Sequence, residues 1–430
     1  MSKIRNFQSP RGTHDILPEK ISEWHLVENT FRTLCKRYNY GEIRTPLFEA
    51  TELFARAAGE ASDIMVTKQM YTFTAPDEQS YTLRPEGTAS VVRAFLEAHL
   101  NERGPVSKLS YYGPMFRYEG PQAGRQRQFH QCGLELLGSA APEADAEVLA
   151  IAADFLKSLG IEAKLLINTL GTPQSRAGYL EELKAFLSAR ISALSEDSQR
   201  RFTVNPLRIF DSKDERDHAA VEAAPRLLDY LEAHDEHSIA HFAQLKRHLD
   251  NLGIVYQIDP LLVRGLDYYS RTAFEFVSDK LGAQSTVLAG GRYDGLVEEL
   301  GGPPTPGIGW GAGIERLLLV RAALGAAQDP TPRLTAFLVT MGDEARGAGV
   351  GILHQLRSAG IDVDCDFVGR SLKAQMREAN RQNARFALLL GDNELNAGTI
   401  MVKDLDASVQ EELPLAGALE KLLNSDLQPS

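Results

Sequence analysis

Between positions 301 and 320 the chain reads GGPPTPGIGWGAGIERLLLV, and Gly307, Gly309, Gly311 and Gly313 fall at alternate positions. Successive side chains of a strand point to opposite faces. Glycine inside a strand weakens it and marks a place where a flat ligand or another backbone comes close. The run therefore offers a place for such an approach and leads into a helix that carries Glu315 and Arg316. It is no dinucleotide loop, because its Pro-rich lead-in is no βα entry, and no Lys-Ser/Thr follows to make a phosphate-binding loop. Strand–helix packing would account for the glycines. It would not account for an arginine at the helix start.

The remaining chain organises around that run. Its 430 residues suggest about two or three domains. Residues 19–38 carry apolar side chains at helical spacing (Ile21, Trp24, Val27, Phe31, Leu34), and residues 143–159 do the same. Between 81 and 138 short strands with Gly and Pro turns are predicted. Residues 178–253 are mostly helix, which reads as an inserted subdomain. GAAQDPTPR (325–333) has the composition of a linker. Beyond it, strand, helix, strand, helix and strand alternate up to residue 391, the order of a small α/β domain.

Composition excludes several classes. Three scattered cysteines, Cys35, Cys132 and Cys365, argue against a disulfide framework or a thiolate zinc site. A net charge of −12 argues against nonspecific coating of duplex nucleic acid, though local charge decides specific binding. The longest apolar runs fall far short of the ~20 residues of a spanning helix. The N-terminal stretch lacks the apolar core of a signal peptide, so the expected location is the cytoplasm, away from membranes.

Four further stretches carry chemistry. In GPMFRYEGPQAGRQRQFHQCGLELLG (113–138), a strand Met115–Glu119, a turn and a return strand Gln128–Leu137 form a hairpin. Period two sets Arg117 with Glu119, and Gln131 with Glu135; an exposed charged face is the plain alternative. In YTLRPEGTASVVRAFLE (81–97), Thr88 is the expected N-cap, leaving helix amides open to an anion. LVRGLDYYSRTAFEF (262–276) sets Arg264 and Asp267 beside Tyr268 and Tyr269 inside an apolar run. Burying such charges costs several kcal/mol unless they are paired, so a structural Arg264–Asp267 pair competes with a ligand site. AGGRYDGLVEELGG (289–302) repeats the pattern with Arg292, Tyr293 and Asp294. His234, His237 and His241 share a helical face, which reads as solvated polar surface and not as a metal site.

Taken in order, these stretches resemble the histidyl-tRNA synthetase family of the class II aminoacyl-tRNA synthetases over nearly the whole chain. RGTHDILP resembles the family's N-terminal signature and YGEIRTPLFEATELFARAAGE (40–60) its motif 1, the dimer element. FRYE…RQFHQCGLELLG is similar to motif 2, GIGWGAGIER to motif 3, and LVRGLDYY and AGGRYDGL to the two histidine motifs. The resemblance implies an α+β fold: an antiparallel sheet flanked by helices over residues 1–325, with a helical insertion at about 175–258. It further implies a linker at 326–333 and an α/β anticodon-binding domain at 334–430.

It also implies an activity and a site. Histidine and ATP, with Mg2+ accompanying the ATP, would form histidyl-adenylate, and histidine would pass to the 3′ end of tRNA(His) on a homodimeric enzyme. Arg117 and Arg264 would grip the α-phosphate, with Glu86 as a third catalytic group. Arg316, Glu119 and Arg125 would complete the ATP site, Glu119 meeting the adenine amino group. Glu86, Gly87, Thr88, Gln131, Glu135, Arg264, Tyr268, Tyr269 and Tyr293 would surround histidine. Gln122, Arg370, Lys373, Arg377 and Arg381 would meet the tRNA, the last four belonging to a basic helical stripe that continues to Arg385. No dedicated metal site is expected. One departure is Gly120, where family members often carry arginine in the loop that meets the tRNA acceptor end; Arg125 and Arg127 are the candidate substitutes. Two rivals are a histidine-sensing regulatory paralogue, which would lack the phosphate-gripping arginines and the C-terminal domain, and a dehydrogenase, which would need an acidic ribose partner.

Overall fold

The computed structural model describes residues 7–58, 69–122, 124–264, 268–281, 285–326 and 333–426. The chain divides into two compact units, residues 1–328 and 329–430.

The first unit is built on an eight-stranded sheet. Its strands are β1 (Gly41–Glu42), β5 (Ser107–Phe116), β6 (Gln128–Leu137), β7 (Lys164–Thr169), β8 (Tyr256–Ile258), β9 (Ser270–Val277), β10 (Thr286–Arg292) and β11 (Gly307–Gly313). Their order is β1-β5-β6-β11-β10-β9-β7-β8. Only the outermost pairs, β1 with β5 and β7 with β8, are parallel. A separate three-stranded sheet sets β4 (Ser80–Leu83) between β2 (Phe48–Ala50) and β3 (Tyr71–Thr74).

Period two decides what each face of the large sheet carries. Cys132, Leu134 and Leu136 of β6, Phe274 and Phe276 of β9, and Ile308, Trp310 and Ala312 of β11 enter one apolar core. The helices Pro18–Arg37, Pro142–Ser158 and Ile314–Ala323 cover it with Val27, Phe31, Leu149, Phe155 and Leu317. The alternate positions, Gln131, Gly133 and Glu135 of β6 and the glycines of β11, face the other way, across a register that sets Glu135 opposite Gly309 and Gln131 opposite Gly313. The functional site lies on that second face.

The helices between β7 and β8 begin at Pro173, and their Tyr179, Leu183, Leu187, Ile209, Leu227 and Leu231 belong to a second core cluster shared with Phe54, Phe95, Tyr268 and Tyr293. The last of them, Glu236–Asn251, returns to the main core through Phe242, Leu245 and Leu249. This corrects the expectation of a solvated histidine face for His241 alone; His234 and His237 are exposed. His241 is buried, and its Nε2 lies 2.8 Å from the carboxylate of Asp145, while His234 stacks on Tyr230. No group of three metal-ligating side chains occurs among the described residues.

The hairpin also differs from expectation. β5 starts at Ser107 and ends at Phe116, so Arg117 and Glu119 lie beyond the strand. They leave the ladder where the chain bonds backbone outside the strands: the Arg117 amide donates to the Arg127 carbonyl and the Tyr118 amide to the Gln69 carbonyl.

The second unit has five strands in the order β13-β12-β14-β15-β16: β12 (Ala336–Met341), β13 (Val363–Cys365), β14 (Phe386–Gly391), β15 (Thr399–Asp404) and β16 (Gln410–Pro414). The first three are parallel, as the alternating pattern implied, and the last two add antiparallel edges. The helix behind the basic stripe spans only Leu372–Arg381. Arg370 precedes it and Arg385 follows it, so the stripe is shorter than expected.

Candidate active site

The glycine-bare face of the sheet floors a cavity of about 370 Å³. Arg117, Arg264 and Arg316, from three distant parts of the chain, all line it. Glu86, Thr88, Glu119, Arg125, Gln131, Tyr268, Tyr269 and Tyr293 line it as well. Glu135 lies just beneath, buried, behind Thr88 and Tyr293.

One end is an acidic slot. The Thr88 hydroxyl donates to Glu135 at 2.7 Å, and the Tyr293 hydroxyl donates to its other oxygen at 2.5 Å. Burial pushes the Glu135 carboxyl up to about 8; the Tyr293 and Thr88 hydrogen bonds oppose this and the nearby Glu86 adds to it. A Cβ on Gly309 would overlap the Glu135 carboxylate, and one on Gly133 or Gly87 would overlap the ring of Tyr111. The glycines thus make room for site side chains, and strand–helix packing is not their purpose. The Gln131 side-chain oxygen is buried with no hydrogen-bond partner, a ready acceptor beside the acids.

Glu86 overturns the expected helix cap. The helix Thr88–Glu97 is preceded by Gly87, and the Glu86 carboxylate accepts from the amides of Thr88 and Ala89 at 2.6 and 2.8 Å. The chain's own carboxylate occupies the position proposed for an external anion. A carboxylate two residues ahead reaches those amides with good geometry, which frees the Thr88 hydroxyl for Glu135. Burial raises the Glu86 pKa; the two amides and then Arg117 work against it.

The other end is cationic. Arg117 donates from Nε to the carbonyl of Pro85 at 2.8 Å and lies over Phe129. Arg125 is 3.0 Å from Glu119, so the acid expected at an adenine amino group already has a cation. Burial, then the neighbouring Arg125, lowers the Arg316 pKa; an anion between these guanidinium groups would relieve both effects. Arg264 pairs with Glu275 at 2.5 Å, and the other oxygen of Glu275 accepts from Thr286 at 2.7 Å. Asp267, the partner considered from sequence, lies outside the described residues. The Arg264 Nε is buried with no hydrogen-bond partner, and its guanidinium stands 5.3 Å from the Tyr269 ring centre.

Glu275, Thr286, Tyr111 and Gln126 also line the cavity and were not singled out from sequence. A signal existed for Glu275: it is the charged residue between Phe274 and Phe276, whose rings point to the opposite face. Arg292, next to Tyr293, is fully buried and bonds Asp145, Asp294 and the Ser139 carbonyl. Asp145 also accepts from Thr272 at 2.5 Å. Burial would raise the Asp145 pKa, but Arg292 and His241 hold it below the usual range.

The remaining site candidates lie elsewhere. Gln122 lines a separate, open cleft of about 430 Å³ with residues 9–14. Neither proposed substitute for a cation at Gly120 is uncommitted: Arg125 is on Glu119, and Arg127 lies 4.1 Å from the Tyr118 ring centre. Arg370, Lys373, Arg377 and Arg381 belong to the second unit. Arg370 and Arg381 are both tied to Glu378, whereas Lys373 and Arg377 are exposed.

An antiparallel sheet with a bare glycine strand, three converging guanidinium groups and a separate α/β unit is the design of a class II aminoacyl-tRNA synthetase. Sequence comparison narrows this. The family model described as histidyl-tRNA synthetase matches residues 12–317, and that of the anticodon binding domain matches residues 335–425. A histidine–tRNA ligase of Rhodospirillum rubrum is 50% identical over 420 residues, 97% of this chain and 98% of that protein. One from Halothermothrix orenii is 47% identical over 416 residues, 96% of this chain and 98% of that protein. The crystal structure of apo Staphylococcus aureus histidyl-tRNA synthetase superposes with a TM-score of 0.81 at 41% identity, covering 97% of this chain and 100% of that one. The chain belongs to the histidyl-tRNA synthetase family. Membership makes it a ligase that uses histidine, ATP and tRNA.

Proposed function

We propose that the cavity activates histidine in one step and transfers it in a second. A histidine carboxylate oxygen attacks the ATP α-phosphorus and pyrophosphate leaves. A hydroxyl at the tRNA 3′ end then attacks the carbonyl and AMP leaves. Charge builds on the α-phosphate oxygens during the first step, and fixed cations aimed there stabilise it. Arg117 and Arg264 take that role, with Arg316 and Arg125 on the outer phosphates. Glu135, Tyr293 and Thr88 meet the imidazole ring, Tyr268 and Tyr269 wall it, and Glu86 and Gln131 face the α-ammonium beside the Gly87 backbone.

Magnesium fits here as an ion carried by the phosphates of ATP. Of the lining acids, Glu86, Glu119 and Glu275 are already bound to amides or guanidinium groups and Glu315 to the amide and ring of His130, so they offer no ready cage among the described residues. The catalytic domain is proposed at 1–325 with its insertion at about 175–258, the linker at 326–333 and the anticodon-binding domain at 334–430. Gln122, Lys373 and Arg377 are proposed tRNA contacts, with Arg370 and Arg381 acting through their hold on Glu378. A cytoplasmic location and a homodimer complete the reading. No described helix is long and apolar enough to cross a membrane.

The observation that carries this reading is the convergence of Arg117, Arg264 and Arg316 on one cavity above Glu135. Histidine-dependent ATP–pyrophosphate exchange tests it. Arg264→Ala is expected to lower exchange by about 10²–10³-fold while histidine binding by calorimetry persists. Near-normal exchange in that variant would remove Arg264 from the chemistry. A histidine-sensing protein without catalysis is the poorer reading, because it gives the phosphate-side cations and the second unit nothing to do.

A further inference from the structure

Tyr268 and Tyr269 line the cavity from a place where the sheet ladder is broken. β9 and β10 pair in step from Phe276 to Ala273, with Gly291 opposite Ala273, but the next residue, Arg292, stands opposite Ser270. Arg271 and Thr272 are the extra residues. A bulge of this kind bends its strand and re-aims the side chains beside it. Arg271 takes φ +49°, a left-handed conformation that a residue with a side chain keeps only where its surroundings hold it. The Tyr269 ring packs on Gly291, where a Cβ would come within 2.8 Å of it. What holds the bulge therefore decides where the two tyrosines stand.

The holder is the segment that runs from β7 into the insertion. The Leu170 amide donates to the Arg271 carbonyl at 2.6 Å, and the Arg271 amide donates to the Gly171 carbonyl at 2.7 Å. From the helix Pro173–Ser188, the Arg176 guanidinium donates to the Tyr269 carbonyl at 2.5 Å. Asn168, buried in β7, donates from Nδ2 to the Leu262 carbonyl at 3.0 Å. The start of that helix is itself fixed. Thr172 and Ser175 form a capping box, and Asp235 accepts from the Ser175 hydroxyl at 2.7 Å. Gly171 turns at φ +63°, where a Cβ would meet Leu231 and Ser175. On the other side Thr272 donates to Asp145, and Arg271 lies 3.8 Å from Asp294. Those contacts fix the bulge, and the Arg176 bond fixes the tyrosine backbone two residues ahead of it.

We propose that Arg176, on the insertion and outside the cavity lining, is a positioning residue for histidine: its bond to the Tyr269 carbonyl sets the Tyr268–Tyr269 wall against the imidazole ring. It touches no substrate and acts through a backbone group. This rests on the reading of Tyr268 and Tyr269 as the histidine wall, and ATP–pyrophosphate exchange by the full-length protein separates the two ideas. Arg176→Ala should raise the KM for histidine about tenfold, the loss of one hydrogen bond from a charged donor, and leave the KM for ATP within about twofold. Arg176→Met keeps a long apolar stem without the donor and should match the alanine variant. Arg176→Lys keeps a charged donor and should recover most of the loss.

An unchanged histidine KM in Arg176→Ala overturns the role, whether or not its Tm has fallen. So does a methionine variant that behaves like wild type, which would make the contribution one of packing, or an equal rise in both KM values. Tyr269→Ala is the reference. If it raises the histidine KM and Arg176→Ala does not, the tyrosine wall stands and the positioning role falls. If neither variant moves the histidine KM, the wall reading fails and takes Arg176 with it.

Discussion

Glu135 shows what burial does to a single carboxyl group. Two hydroxyls donate to it, yet its pKa still rises to about 8 from 4.5, because desolvation outweighs those bonds and the nearby Glu86 adds to it. A group raised in the folded state binds more protons there than in the unfolded chain. Its contribution to stability is therefore complete below about pH 4.5 and is lost as pH climbs through about 8. Glu86 is shifted the same way. We expect Glu135→Gln to flatten the fall in Tm of the ligand-free enzyme between those limits, measured as the difference from wild type across pH. The same variant should raise the KM for histidine by about tenfold or more, because one acceptor oxygen is replaced by a donating amide, and leave the KM for ATP within about twofold. A wild-type slope retained in the glutamine variant would assign the titration to another group.

At the scale of the element, the decisive unit is β11 against β6. The alternate glycines announced a close approach, and they lie on the strand Gly307–Gly313, two residues further than the expected helix start at about 312 allowed. What the pattern left open was the occupant. Register sets Gly309 opposite Glu135, and the carboxylate fills the space a side chain would take. Gly309→Ala should therefore destabilise the fold by about 1–3 kcal/mol and abolish histidine binding, because the Leu134 carbonyl leaves the strand no room to yield. Gly120→Ala is the control: nothing stands within 4 Å of its Cβ position, and Tm should not move. Equal Tm values in thermal denaturation of the two variants would contradict this account of β11. The expected Thr88 cap failed at the same scale. A sequence offers several side chains to the same amides, and only the fold chose Glu86.

At the scale of the molecule, one exposed surface bears on assembly. Phe48, Phe73 and Tyr81 form a ring cluster on the three-stranded sheet, with Phe48 and Phe73 49% and 43% exposed and their centroids 5.9 Å apart. Exposed aromatic patches of this kind mark association sites. We expect two chains per particle in sedimentation, and a shift toward one chain in a Phe48→Asp, Phe73→Asp double variant. A double variant that still sediments as a dimer would place the interface elsewhere.

By itself the sequence determined the residue types of the site, the helical and two-residue periods, and hence which positions are apolar core and which are bare or charged. Only the tertiary structure decided that Arg264 meets Glu275, that Glu135 lies under Tyr293 and Thr88, and that His241 is buried on Asp145. Periodicity is a property of neighbouring residues and survives in a linear reading. The Asp145 partners His241 and Arg292 are 96 and 147 residues away from it along the chain. Which distant groups meet depends on strand register and on the cost of leaving a buried charge alone, and neither exists until the sheet has closed.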